Sequence, residues 1–179
     1  MIYWFTGQPG AGKTTLAEKL VEYLNVGNTI HIDGDDLRDI FKNKDYSENG
    51  RRANIQKAMD IAHFLNEKGY NVVASLVSPY KDLRDDLKSK SDVIEIYIHT
   101  TDLRGREDFH VKDYQPPTEN YISIDTTNTG EIESYTELIN KLFLGIIVVL
   151  VSILSYYFVE KPFRNKKNNF KIFLSIFCV

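Results

Sequence analysis

Gly7-Gln8-Pro9-Gly10-Ala11-Gly12-Lys13-Thr14 is the stretch on which the reading of this chain turns. An apolar run, Ile2 to Phe5, precedes it, and Leu16, Leu20 and Leu24 follow at four-residue spacing. The order is strand, glycine loop, helix, the context in which G-x-x-x-x-G-K-[ST] works as a phosphate loop. Glycines let successive backbone N–H groups turn toward a polyphosphate, and the next helical turn adds unpaired N–H groups and the positive end of its dipole. Lys13 would reach the β- and γ-phosphates of ATP, and the Thr14 hydroxyl would complete a Mg²⁺ shell. Gly7, Gln8, Pro9, Gly10, Ala11, Gly12, Lys13, Thr14 and Thr15 are the expected nucleotide contacts.

Outward from the loop, apolar strands alternate with amphipathic helices as far as Phe143. Strands are expected at Ile2–Phe5, Thr29–Ile32, Asn71–Val77, Val93–Ile98 and Tyr121–Ile124. Helices are expected at Thr14–Leu24, from near Leu37, at Arg51–Lys68 with Gly69 as terminator, at Lys81–Lys90 and at Ile132–Phe143. Phe41 to Gly50 reads as a loop. The alternation implies right-handed βαβ units: an α/β, P-loop NTPase-type parallel sheet with helices on both faces. With 179 residues and a net charge of −3 the chain can build one full core. From Gly145 onward Lys161, Arg164, Lys166, Lys167 and Lys171 face a single acid, Glu160, so the body is the more acidic part. An acidic body argues against a nucleic-acid partner. Cys178 is alone, as suits a reducing compartment, and the four His lack zinc spacing. The first core strand starts at the N-terminus, so no cleavable leader is expected.

Phosphoryl transfer also needs acids beside the metal and the attacking hydroxyl. Asp33 and Asp35 end the second strand, at the edge where open α/β sheets bind ligands, and flank Gly34 so that both can face one crevice. Asp36 is assigned the cap of the helix near Leu37, leaving Asp33 and Asp35 for Mg²⁺ and the acceptor hydroxyl. The third strand ends without a Walker B acid, and no N-K-x-D guanine motif occurs, which favours a kinase over a GTPase switch.

Four blocks in order resemble the adenylylsulfate kinase family. They are Trp4-Phe5-Thr6-Gly7 into the phosphate loop, Asp33-Gly34-Asp35-Asp36-Leu37-Arg38, Tyr46 to Ile55, and Val77-Ser78-Pro79-Tyr80 with Arg84 behind it. The resemblance implies transfer from ATP to the 3′-hydroxyl of adenosine 5′-phosphosulfate (APS), in sulfate assimilation. It implies that Arg38, Arg51 and Asn54 hold the acceptor, and two guanidinium groups do suit a doubly anionic group. Ser78 matches the serine sometimes assigned as a phosphorylated intermediate. Direct in-line transfer needs no covalent step, so a loop serine lining the acceptor site is the simpler assignment.

The chain departs from that family after the fourth strand. Where the family carries a long basic lid, Thr100 to Asn120 is the whole connection. Arg104, Arg106 and Lys112 are its basic candidates for ATP, with Arg106 assigned to the cofactor. A short lid leaves the acceptor open between APS and another nucleotide, such as the cytidine diphosphoramidate of surface-polysaccharide modification. A catalytically silent, membrane-tethered nucleotide-binding module is the alternative outside enzymes.

Leu142 to Val159 is eighteen uncharged residues ending in Tyr156, Tyr157 and Phe158, long enough for a short bilayer crossing and membrane contact. The basic segment beyond it would lie opposite the nucleotide, against the positive-inside rule. Leu154 to Arg164 resembles the end of a membrane helix in the acyltransferase-3 family. That family needs many such helices, so the tail reads as an orphan fragment joined to a soluble domain. The expected domains are a cytoplasmic kinase, 1–143, and an apolar helix with a basic tail, 144–179. A homodimer is among the assemblies left open.

Overall fold

The computed structural model describes residues 1–24, 27–102, 104–157 and 161. Five parallel strands form one sheet: β1 (Ile2–Thr6), β2 (Thr29–Asp33), β3 (Asn71–Ser75), β4 (Val93–His99) and β5 (Tyr121–Asp125), in the order β2-β3-β1-β4-β5. The chain first builds to one side of β1 and then crosses to the other. The strand order therefore reverses at β1, and a crevice opens beyond its C-terminal end. The phosphate loop leaves β1 at that point.

Both faces of the sheet are covered, which is why β1 and β3 read as nearly unbroken apolar runs. Ile2 and Trp4 pack in one cluster with Ile32, Leu37, Ile55, Ala58, Met59 and Leu87. Those residues come from β2, α2 (Gly34–Ile40), α3 (Glu48–Glu67) and α4 (Lys81–Lys90). Phe5 alternates to the opposite face, where α1 (Lys13–Leu24) buries Leu16, Ala17 and Leu20. β1 pairs with β3 from Ile2↔Val72 to Phe5↔Ser75, and β2 pairs with β3 from Thr29↔Asn71 to Asp33↔Ser75. That register carries Asp33 to the same level as the end of β1.

Several boundaries differ from the expectation, each for a local reason. Helix α2 starts at Gly34, and its cap is Asp33, not Asp36: Asp33 Oδ1 accepts the Asp35 N–H at 2.8 Å. An extended residue just ahead of the first turn is placed to cap, whereas Asp36 is already inside the helix. Helix α3 begins before Arg51 because Ser47 caps it, accepting the Gly50 N–H. Strand β3 stops at Ser75, since the Val77 carbonyl turns to the Thr6 hydroxyl. Gly69, at φ +87°, ends α3 as expected, with the Gly69 and Tyr70 N–H groups returning to Asn66 and Leu65.

The expected closing helix and the apolar stretch after it form one helix, α5 (Glu131–Ser155). The chain divides into two compact units, Met1–Leu138 and Ile139–Val179. Within α5 an apolar window of mean hydropathy 2.4 is only 6% buried. Phe158, most of the basic segment, the acyltransferase-like stretch beyond Tyr157 and Cys178 lie outside the described residues, Lys161 apart.

Candidate active site

Three glycines give the phosphate loop its path. Gly7, Gly10 and Gly12 lie at φ +148°, +82° and +94°, which L side chains rarely adopt. At Gly7 space also forbids a side chain, because a Cβ would stand 2.0 Å from the Ile98 carbonyl oxygen on β4. The loop delivers Lys13 and Thr14 to the first turn of α1. Lys13 is 9% exposed, and its ammonium donates to the Gln8 carbonyl at 2.9 Å. Burial lowers its pKa to about 8, against the pull of Asp33 and then Asp35.

Asp33 faces this pair. Its Oδ2 accepts from the Thr14 hydroxyl at 3.0 Å and from the Ser75 hydroxyl at 2.8 Å. Ser75 in turn lies 3.0 Å from His31 Nε2, so with its hydrogen given to Asp33 it accepts from the imidazole. Burial alone would raise the Asp33 pKa. The Asp35 N–H, Ser75 and Thr14 together outweigh it and hold the carboxylate below its usual range. Where a Walker B acid would end the third strand, β3 carries Ser75, and the acid beside it, Asp33, comes from the neighbouring strand. Asp35 is exposed in the first turn of α2, near enough to Lys13 to act on its charge.

The structure thus gathers Lys13, Thr14, Asp33 and Asp35 at one edge. Thr14 and the two carboxylates are hard oxygen donors, suited to Mg²⁺. Among the described residues no cluster of three His, Cys, Asp or Glu could hold a metal. A Mg²⁺ bound here would share its shell with the phosphates.

On the side where the acceptor is expected, Asn54 is 4% exposed and donates to the Gly34 carbonyl at 3.2 Å, and its Oδ1 has no partner among the described residues. A buried, unpaired acceptor next to the aspartates is costly unless a ligand N–H meets it. Arg38 is partly committed: Nη1 donates to the Asn43 and Asp45 carbonyls, and the guanidinium lies over Tyr46. Arg52 is fully used, by Glu48, Asp82 and the Tyr80 ring. Its neighbour Arg51 makes no ion pair among the described residues. Ser78 is 1% exposed and its hydroxyl has no partner among the described residues, so it presents no open nucleophile to the crevice.

On the other flank Arg106 lies above Gly10, whose Cβ would meet the Arg106 Cβ at 3.1 Å. Thr15 is exposed on the first turn of α1. Ser75, His31, Arg104, His110, Tyr114 and Thr126 also shape the site, and sequence reasoning gave them no role beyond naming Arg104 as a basic candidate. Their partners lie up to 115 residues away, so no local spacing marks them.

The profile of the adenylylsulphate kinase family matches residues 1–123. The chain belongs to that family. It is therefore a kinase, a phosphotransferase acting on nucleotides. Among relatives, a cytidine diphosphoramidate kinase of Campylobacter jejuni is 32% identical over 131 residues, 69% of this chain and 77% of that protein. An adenylyl-sulfate kinase of Picosynechococcus is 36% identical over 100 residues, 54% of this chain and 56% of that protein. The adenylylsulphate kinase fold appears in the Mycobacterium tuberculosis APS kinase solved with AMPPNP and APS. That structure matches with a TM-score of 0.65 and 21% identity over 79% of this chain and 96% of that one.

Proposed function

We propose that this kinase moves the γ-phosphoryl group of ATP, with Mg²⁺, to the ribose 3′-hydroxyl of a nucleotide whose 5′ end carries an anhydride-linked group. The observation that carries this is the convergence of Lys13, Thr14, Asp33 and Asp35, with the unpaired Asn54 Oδ1 beside them. Lys13 and the loop N–H groups bind and orient the phosphates, and Mg²⁺ offsets charge growing on them. Asp35, exposed and free of the hydrogen bonds that occupy Asp33, is placed to take the hydroxyl proton.

Two acceptors fit this reading. APS is the one the family implies. Cytidine diphosphoramidate is favoured by the likeness to the Campylobacter enzyme, which covers the larger share of both chains. The test is to supply ATP with each acceptor and follow ADP release. We expect the higher kcat/KM on cytidine diphosphoramidate; turnover of neither would end the kinase assignment for this acceptor class. In the same assay Arg51→Ala should raise the acceptor KM roughly 10-fold or more, as loss of a charge-assisted pair does, with the ATP KM nearly unchanged. Equal effects on both would place the acceptor elsewhere.

We also propose that the apolar part of α5 lies in a lipid bilayer. A core helix would be buried, whereas the named apolar residues from Phe143 to Tyr157 are 41–60% exposed. Eighteen helical residues span about 27 Å, close to the hydrocarbon thickness. The full chain should float with liposomes and resist alkaline extraction, and a chain ending at Leu138 should do neither. A full chain that stays monodisperse without detergent would refute this.

A further inference from the structure

Four consecutive carbonyls of the phosphate loop each receive a side-chain donor. Lys13 Nζ donates to Gln8 O at 2.9 Å, and His110 Nε2 to Pro9 O at 3.2 Å. Arg104 Nη1 donates to Gly10 O at 3.3 Å, and the Thr126 hydroxyl to Ala11 O at 3.0 Å. His110 and Arg104 come from the connection between β4 and β5. The Gln8 side chain ties that connection down from below: Nε2 donates to Val111 O at 2.8 Å, and Oε1 accepts the Val111 N–H at 2.9 Å. Val111 is buried, and Arg104 reaches on to Thr126 O and Asp102.

His110, Arg104 and Thr126 thus hold the Pro9, Gly10 and Ala11 carbonyls from outside the loop, and Lys13 and the Ala11 N–H hold the Gln8 carbonyl from within it, so the path of the loop is fixed before nucleotide arrives. Nucleotide binding then requires little further ordering of the loop. A mobile lid would instead close at the moment of binding and draw on the binding energy.

We infer that Gln8, Arg104 and His110 are positioning residues that make the connection around 104–111 a fixed strap on the phosphate loop, rather than a lid that closes over nucleotide. This rests on the ATP reading above. A strap that is already seated sets ATP affinity through loop shape and leaves the acceptor side alone.

Hydrogen exchange on the full chain in detergent, with and without the ATP analogue AMPPNP, tests it. The Val111 amide should be protected without nucleotide and change little on saturation. Gln8→Leu removes both bonds at similar volume. It should speed Val111 exchange on the order of 10-fold and raise the ATP KM by a like factor, with the acceptor KM little changed. His110→Ala should raise the ATP KM more modestly, and His110→Gln, which keeps an N–H donor, should restore it. The strap is refuted if segment 104–114 gains strong protection only with AMPPNP, or if Val111 exchanges equally fast in wild type and Gln8→Leu. Calorimetry that finds no AMPPNP binding would sink the ATP reading, while the Val111 comparison without nucleotide still decides the strap.

Discussion

Lys13→Met should give a protein that withstands urea better than wild type below pH 8 and transfers phosphoryl at least about 10²–10³-fold more slowly. Both effects come from one ammonium held out of water. The Lys13 pKa falls from 10.5 to about 8 on folding because burial disfavours the charge more than Asp33 and Asp35 favour it. The folded protein therefore holds this proton less tightly than the unfolded chain. The stability cost is fully present below pH 8, shrinks as pH rises toward 10.5 and vanishes above it. Over that interval it corresponds to about 3 kcal/mol. Loss of the bond to the Gln8 carbonyl returns about 1 kcal/mol, so the variant should gain about 2 kcal/mol near neutrality. Urea midpoints from pH 6 to 10.5 would check this: the gap between the proteins should close toward the alkaline end and turn slightly against the variant there. A gap that is constant with pH would mean that the buried charge is not its source.

The catalytic loss has the same origin. A charge kept in a dry loop at a cost to the resting protein is strongly placed to meet the charge that builds on the β- and γ-oxygens during transfer. Methionine fills the space and binds no phosphate, so the variant should keep its fold and lose its rate. Transfer at the wild-type rate would remove Lys13 from the mechanism.

What the sequence made legible was whatever is written at short range. Gly7, Gly10 and Gly12 mark positive φ angles directly, and the four-residue spacing of Leu16, Leu20 and Leu24 marks α1. Asp33 and Asp35 could be placed because a strand end in an open sheet faces the crevice. The cap was misplaced because Asp36 and Asp33 are both good capping residues, and only the backbone at Gly34 decides between them. Ser75 was passed over because its role follows from the Asp33↔Ser75 register, which no local pattern carries. The hold of the Gln8 side chain on Val111 leaves no local signal, its partner being 103 residues away. The boundary after Phe143 followed a change in composition. Backbone hydrogen bonding does not respond to that change, and Gly145, the weakest helix former nearby, costs only about 1 kcal/mol.

Arg84→Met should cost the nucleotide-binding unit a large share of its stability, about 3 kcal/mol or more. Arg84 and Glu95 are 2% and 1% exposed and pair at 2.6 Å, and the rest of the guanidinium donates to the Ser78 and Gln115 carbonyls, each at 2.6 Å. Deleting one partner of a buried pair leaves the other charge uncompensated, typically at 3–5 kcal/mol, against a total of about 5–15 for a domain. Lys88 still reaches Glu95 Oε2 at 2.6 Å, which sets the loss toward the lower figure. Ser78 adds to it. Its φ of +38° is unfavourable for a residue with a side chain and persists because Arg84 and Thr6 both donate to its carbonyl. Thr6 in turn bonds Tyr114, whose hydroxyl burial keeps protonated far above neutrality, so the disturbance would reach the residues flanking the phosphate loop. Adding Glu95→Gln to Arg84→Met should recover part of the loss, because a buried carboxylate left with Lys88 alone is replaced by a neutral amide. The four proteins of this cycle, unfolded in urea, give the coupling energy directly. Additive losses, or a single-variant loss under about 1 kcal/mol, would show that the pair is incidental and that the Ser78 turn is held by something else.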